Sequence, residues 1–204
     1  VDMALHDLLA RRLGLPLHRL LGGALRPAIA QSRIVPIKAP AEMAAQAASL
    51  AQQGYGQLKL KLSADSALDL QRIAAVRDAV GPAVRLTLDP NQSYSAKQMM
   101  AAFARFERHD IALIEQPVPA ADWAGLALLT RSLPVAIEAD ESAQTVQDVF
   151  RLVSERVVDV VNLKLTKLGG HRRFLEAARI CEAGQVACRA GAAFGPALLQ
   201  AHAA

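Results

Sequence analysis

The chain has 204 residues, of which 52% are hydrophobic and 21% charged, with a formal net charge of +4. That is room for one large domain or two small ones, at the polarity of a packed soluble globule. Aromatic residues make up only 4%, and Lys and Arg are scattered, which argues against base-stacking modules and against binding to nucleic acid. No apolar run reaches membrane-spanning length and no signal peptide is present, so the expectation is a cytoplasmic protein without a membrane partner. Cys181 and Cys188 have no zinc spacing and make no disulfide framework; they are expected to be buried free thiols in a reducing compartment. The chain opens at Val1 inside a helical pattern, as a piece of something longer is expected to do.

In chain order, apolar residues at Met3, Leu5, Leu8, Leu9, Leu13 and Leu17 predict one helix and a short second one, ending at Gly22-Gly23. Strand patterns then alternate with helical ones. The strands are predicted at 29–37, 56–62, 83–89, 111–116, 133–139, 157–165 and 185–190. The helices between them fall at 40–53, 66–80, 95–109, 121–132, 145–155 and 170–183, and Pro196 opens another. Strands separated by helices imply right-handed βαβ crossovers and a parallel sheet. Seven repeats suggest an α/β fold of the TIM-type (β/α) barrel, incomplete, with about seven βα units. An open Rossmann-type sheet is the structural alternative. It is weakened because no strand is followed by GxGxxG.

Acids recur at the carboxyl ends of the predicted strands. Asp89 ends strand three, Glu115 strand four and Asp140 strand five, and Lys164 follows on strand six. Their successive intervals, 89 to 115, 115 to 140 and 140 to 164, are 26, 25 and 24 residues. One βα unit takes about that many, so these are equivalent positions on the rim where barrel active sites are built. Three converging acids need a cation or raised pKa values. Hard oxygen donors suit Mg²⁺, with Mn²⁺ an acceptable substitute, better than zinc.

Strand two reads QLKLKL over residues 57–62 and alternates strictly. Its lysines could be the solvent face of an edge strand. A strand covered by helices has no such face, so Lys59 and Lys61 are expected to point into the polar mouth. A proton α to a carboxylate needs a neutral base and a cation to stabilise the enediolate that forms. Lys61, nearer the strand's carboxyl end, is then the reacting amine. Lys59 tunes it by like-charge repulsion, and Lys164 serves as the second acid–base group.

The segments KLK (59–61), DPNQ (89–92), IEQP (114–117), ADES (139–142) and NLKLTKLGG (162–170) together resemble the enolase superfamily. Within it the chain is similar to the muconate cycloisomerase-like subgroup of the mandelate racemase/muconate lactonizing enzyme family, and the helical opening (residues 2–23) is similar too. The resemblance implies Asp89, Glu115 and Asp140 as Mg²⁺ ligands and Lys61 with Lys164 as the acid–base pair. It places Asn91 and Asn162 near a small carboxylate substrate and Glu141 behind the ligands. It implies residues 1–24 as the helical end of a capping domain and 25–204 as the barrel, in a homo-oligomer. The rest of that cap and an eighth strand are expected to be absent. Strand seven runs into the segment 190–196, which lacks the family's usual acid, and His6 replaces a usual aromatic. None of His6, His18, His109, His171 or His202 is expected at a strand end. The activity implied is Mg²⁺-dependent isomerisation, by a cycloisomerase or a racemase/epimerase. A dehydratase or lyase of the o-succinylbenzoate synthase or acid-sugar type is the alternative within the superfamily. A truncated, non-catalytic metal-binding barrel is the alternative outside catalysis.

Overall fold

A computed structural model describes residues 1–24 and 27–191. Its elements in chain order are α1 (Asp2–Leu13), α2 (Leu17–Leu20), β1 (Arg33–Val35), α3 (Pro40–Gln52), β2 (Gln57–Lys61), α4 (Ser66–Val80), β3 (Arg85–Asp89), α5 (Ala96–Phe106), a 3-10 turn (Glu107–His109), β4 (Ile111–Glu115), α6 (Trp123–Ser132), β5 (Ala136–Ala139), α7 (Val146–Ser154), β6 (Val160–Leu163), α8 (Leu165–Leu168), α9 (His171–Ala183) and β7 (Ala187–Ala190). The architecture is α/β, as expected, with seven strands among the described residues. The chain divides into two compact units. The larger holds Ala30–Ser142 with Arg156–Val160; the smaller holds Val1–Ile29, Ala143–Glu155 and the described residues from Val161 on.

In the larger unit, β1 to β5 form a parallel sheet in sequence order. Parallel neighbours need a crossover, and each is supplied by one of the helices α3 to α6. Alternation along β2 and β3 sorts the two faces. Leu58, Leu60, Leu86 and Leu88 are fully buried with Met43, Ile73, Val76, Met99 and Phe106 from the helices. The opposite face carries Lys59, Lys61, Thr87 and Asp89, and the register places Lys59 beside Thr87 and Lys61 beside Asp89. Short polar side chains start the helices. Asp65 accepts from the N–H groups of Ala67 and Leu68 at 3.1 Å. Ser95 and Gln98 form a reciprocal capping box at α5.

In the smaller unit, Thr145 and Asp148 form the corresponding box at α7. Helix α9 begins after Gly170, which has no side chain to offer as a cap. Its first N–H, from His171, donates instead to Asp2 Oδ2 at 2.7 Å. A Cβ at Gly170 would collide with that carboxylate, so glycine is required there by close approach as well as by its φ of 128°. The rings of His6 and His171 meet edge-on at 5.2 Å.

Several predicted boundaries move, and three of the shifts have a plain physical reason. The strand predicted at 29–37 shrinks to Arg33–Val35, and Pro36, which has no N–H to donate to a ladder, stands just past its end. The strand predicted at 157–165 stops at Leu163. The alternating pattern NLKL reads on as a strand, but Leu165–Leu168 turn into a short helix that Gly169 ends at φ 85°. The helix predicted at 95–109 ends at Phe106 and tightens into the 3-10 turn. Cys181 is buried, but Cys188 is exposed on β7, which corrects the expectation of two buried thiols. The helix predicted from Pro196, residues 192–196 and His202 lie outside the described residues. No helix among the described residues is long and apolar enough to cross a membrane.

Candidate active site: ammonium groups among buried carboxylates

The lysine face of QLKLKL meets acids, not bulk water. Lys59 Nζ donates to both carboxylate oxygens of Glu115, at 2.9 and 2.8 Å, and stands 3.2 Å from Asp89 Oδ2. Lys61 Nζ lies 2.6 Å from Asp89 Oδ2 and donates to Asn91 Oδ1 at 2.5 Å. Asn91 in turn donates from Nδ2 to Glu141 Oε1 at 3.1 Å and from its backbone N–H to Asp89 Oδ1 at 3.2 Å. The larger unit thus brings Lys59, Lys61, Asp89, Asn91, Glu115 and Glu141 into one connected polar cluster. The carboxylates are deep: Glu115 is 0% exposed, Asp89 1% and Asp140 4%.

Asp140 is held through its backbone. Its N–H donates to Gln116 Oε1 at 2.9 Å, and the N–H of Ser142 donates to the same oxygen at 3.1 Å. Gln116 Nε2 donates to the Val118 carbonyl and to Ser142 Oγ, both at 2.9 Å. One buried amide therefore fastens the loop after β4 to the loop after β5. It holds a φ of 36°, a region few non-glycine residues visit.

Charge explains the pairing. Burial pulls Lys59 down, but the adjacent Glu115 carboxylate and then Asp89 outweigh it, and the net shift is upward, keeping the ammonium charged. Glu115 is pushed above the usual carboxylate range, first by burial and next by the charge on Asp89. Lys59 opposes that rise, and Asp140 adds to it. Both Asp89 and Asp140 are therefore close enough to burden Glu115 electrostatically.

That donor set suits a divalent cation: three buried carboxylates, hard oxygen donors and an excess of negative charge. Among the described residues no three His, Cys, Asp or Glu side chains are disposed as a ready-made metal cage. Lys59 and Lys61 hold the charge of Glu115 and Asp89 in this arrangement.

Asn162 and Lys164 belong to the smaller unit. Asn162 is buried on β6, and its carbonyl accepts from Lys167 Nζ at 2.9 Å. Lys164 follows the strand end in extended backbone and opens α8. Gly191 lies against both: a Cβ there would collide with Asn162 Oδ1 and sit 3.0 Å from Lys164 Cε. Four predicted histidines fall within the described residues, and none stands at a strand's carboxyl end. Sequence reasoning singled out neither Gln116 nor Glu138, both fully buried. Alternation gave a signal for Glu138, which shares a strand face with Asp140. For Gln116 there was none beyond its place in IEQP.

With this geometry in hand, comparison places the chain. Residues 42–204 match the family model for enolase C-terminal domain-like proteins. The L-Ala-D/L-Glu epimerase of Bacillus subtilis is 39% identical over 194 residues, covering 94% of this chain and 53% of that protein. Muconate cycloisomerase 1 of Rhodococcus opacus is 34% identical over 190 residues, covering 92% of this chain and 51% of that protein. A crystal structure of the dipeptide epimerase from Enterococcus faecalis, complexed with Mg and the dipeptide L-Leu-L-Tyr, superposes with a TM-score of 0.88 at 36% identity, covering 92% of this chain and 52% of that one. The chain belongs to the enolase C-terminal domain-like family, among the mandelate racemase/muconate lactonizing proteins, and shares part of their parallel α/β fold. These relatives are isomerases. The chain spans about half the length of the curated relatives it matches.

Proposed function

We propose that this chain carries the acid–base core of a Mg²⁺-dependent isomerase that removes and returns the proton α to a carboxylate. The substrate class that fits best is a dipeptide or other N-acylated amino acid, and the reaction is epimerisation. One observation carries this reading: two lysines on one strand face, seated on buried Asp89 and Glu115 at 2.6–3.2 Å. The names of the epimerase relatives support the choice of substrate. Cycloisomerisation is the second reading, favoured by the muconate cycloisomerase relative.

Asp89, Glu115 and Asp140 would hold the cation, and when bound it supplies charge stabilisation to the enediolate. Lys61, in its neutral form, takes the α-proton in one direction, and Lys164 is assigned the transfer in the other. Lys59 stays protonated beside Glu115 and offsets the charge that builds next to it. Asn91 orients the Lys61 amine through its side-chain oxygen. Two proton-transfer groups allow inversion at the α-carbon; one with a passive cation allows cycloisomerisation.

The test is proton exchange. L,L-dipeptides incubated with the chain and Mg²⁺ in D₂O are expected to take up deuterium at the α-carbon and to yield the epimer. Folded protein that binds Mg²⁺ by calorimetry yet exchanges no α-proton across a dipeptide panel would sink the epimerase reading. Ring closure of a muconate without such exchange would favour the cycloisomerase.

A further inference from the structure

The described residues of the larger unit also hold a buried carboxylate with a hydrogen-bond network of its own, outside the cluster described above. Asp69, in the first turn of α4, is 0% exposed. A carboxylate there could serve the helix dipole alone. Its oxygens do not behave that way, because Asp65 already caps α4. Asp69 instead accepts from the Ser63 N–H at 3.1 and 3.0 Å and from Ser63 Oγ at 3.0 Å. It also accepts from Tyr94 Oη at 2.8 Å. Its counter-charge is Arg72, whose Nη1 lies 2.8 Å away and also donates to Ser63 Oγ at 2.7 Å.

Ser63 stands two residues beyond Lys61, and Tyr94 three beyond Asn91. One carboxylate therefore ties the chain leaving β2 to the chain leaving β3. Those two strands carry Lys61 and Asp89, and the Lys61–Asn91 contact joins the same two chain segments. Both loops hold residues in left-handed backbone that is not glycine: Ala64 at φ 69°, Asn91 at 47° and Gln92 at 68°. Such conformations persist only where the surroundings over-determine them. A buried ion pair contributes little net stability against an apolar replacement of the same shape. A well-satisfied one holds geometry.

We propose that Asp69 is a positioning residue for the acid–base step, setting where the Lys61 amine stands relative to Asp89 and Asn91 by clamping Ser63 and Tyr94 together. This rests on the isomerase reading above.

The test uses Asp69→Asn and the milder Tyr94→Phe, which keeps the ring buried and removes one hydrogen bond. Deuterium wash-in to recovered substrate is measured separately for the two α-configurations, with Lys61→Ala marking the one whose proton Lys61 takes. Asp69→Asn is expected to slow that wash-in about 10- to 100-fold while KM stays within about 2-fold, the scale of a misplaced catalytic group. Wash-in from the other configuration is expected to persist, and Tyr94→Phe to fall between wild type and Asp69→Asn. Unchanged wash-in, or equal loss from both configurations, overturns the inference. Wild type inactive on every substrate counts against the proposed activity, and amide exchange then decides the clamp alone. Asp69→Asn should speed exchange at residues 62–65 and 91–94 together, by about 10-fold or more, with 136–139 unchanged. Unchanged or uniformly faster exchange overturns it.

Discussion

Replacing Lys59 by methionine keeps most of the side-chain volume and removes the ammonium that both oxygens of Glu115 accept from. Lys59 is 13% exposed and Glu115 fully buried, so solvent does little to screen the pair. Removing one partner of a buried pair leaves the other charge uncompensated, at a cost of about 3–5 kcal/mol. The cost depends on pH. The folded state raises Glu115 above its ordinary value of 4.5, first through burial and next through Asp89. A carboxyl raised by folding binds its proton more tightly in the folded state. Its stability contribution is therefore greatest below 4.5 and falls as pH rises through the raised value. Lys59 opposes that rise, so deleting it deepens the fall. The K59M variant is expected to lose about 3 kcal/mol relative to wild type near neutral pH and less toward pH 4.5, which lies below the raised value at which Glu115 protonates. Urea denaturation followed by circular dichroism, without divalent cations, across that range measures it. Adding Mg²⁺ should shrink the gap, because the cation supplies charge that the lysine no longer does. A loss below about 1 kcal/mol at every pH means the pair behaves as a solvent-screened surface contact, and the reasoning fails.

Gln116→Leu removes the acceptor for the N–H groups of Asp140 and Ser142, and should weaken Mg²⁺ binding by about 10- to 100-fold in calorimetric titration. Lys61→Ala should cost about 10²–10⁴ in the α-proton exchange rate, by NMR in D₂O, with the far-ultraviolet spectrum unchanged. Phe106→Ala opens a cavity at a fully buried site and should cost about 3–5 kcal/mol by urea denaturation, with no effect on Mg²⁺ affinity of the folded protein.

Much of this molecule could be read from period and spacing. The helix predicted at 66–80 is Ser66–Val80 to the residue, because Asp65 caps it and Gly81 follows it. The lysine face of β2 was legible because alternation separates it from the buried leucines. Asp89 and Glu115 were legible as repeats at one-unit intervals. The structure adds what spacing cannot carry. That Lys59 chooses Glu115, on a strand two places away, depends on the lateral offset between strands. That Gln116 fastens Asp140 depends on a backbone twist at φ 36°. The turn at Leu165–Leu168 was hidden because a four-residue helix is too short to show a 3.6-residue period against an alternating run.

The bond from Asp2 to the first N–H of α9 spans 169 residues of sequence. In the larger unit each strand pairs with the next one made, so those contacts can form as the polypeptide emerges from the ribosome. Helix α9 cannot be closed off that way: its amino end is completed by a side chain made 169 residues earlier. Loop-closure entropy grows by only about 0.6 kcal/mol per doubling of length, so the wait is affordable at equilibrium. It does set an order of events, in which α1 remains undocked from α9 until α9 itself has been translated.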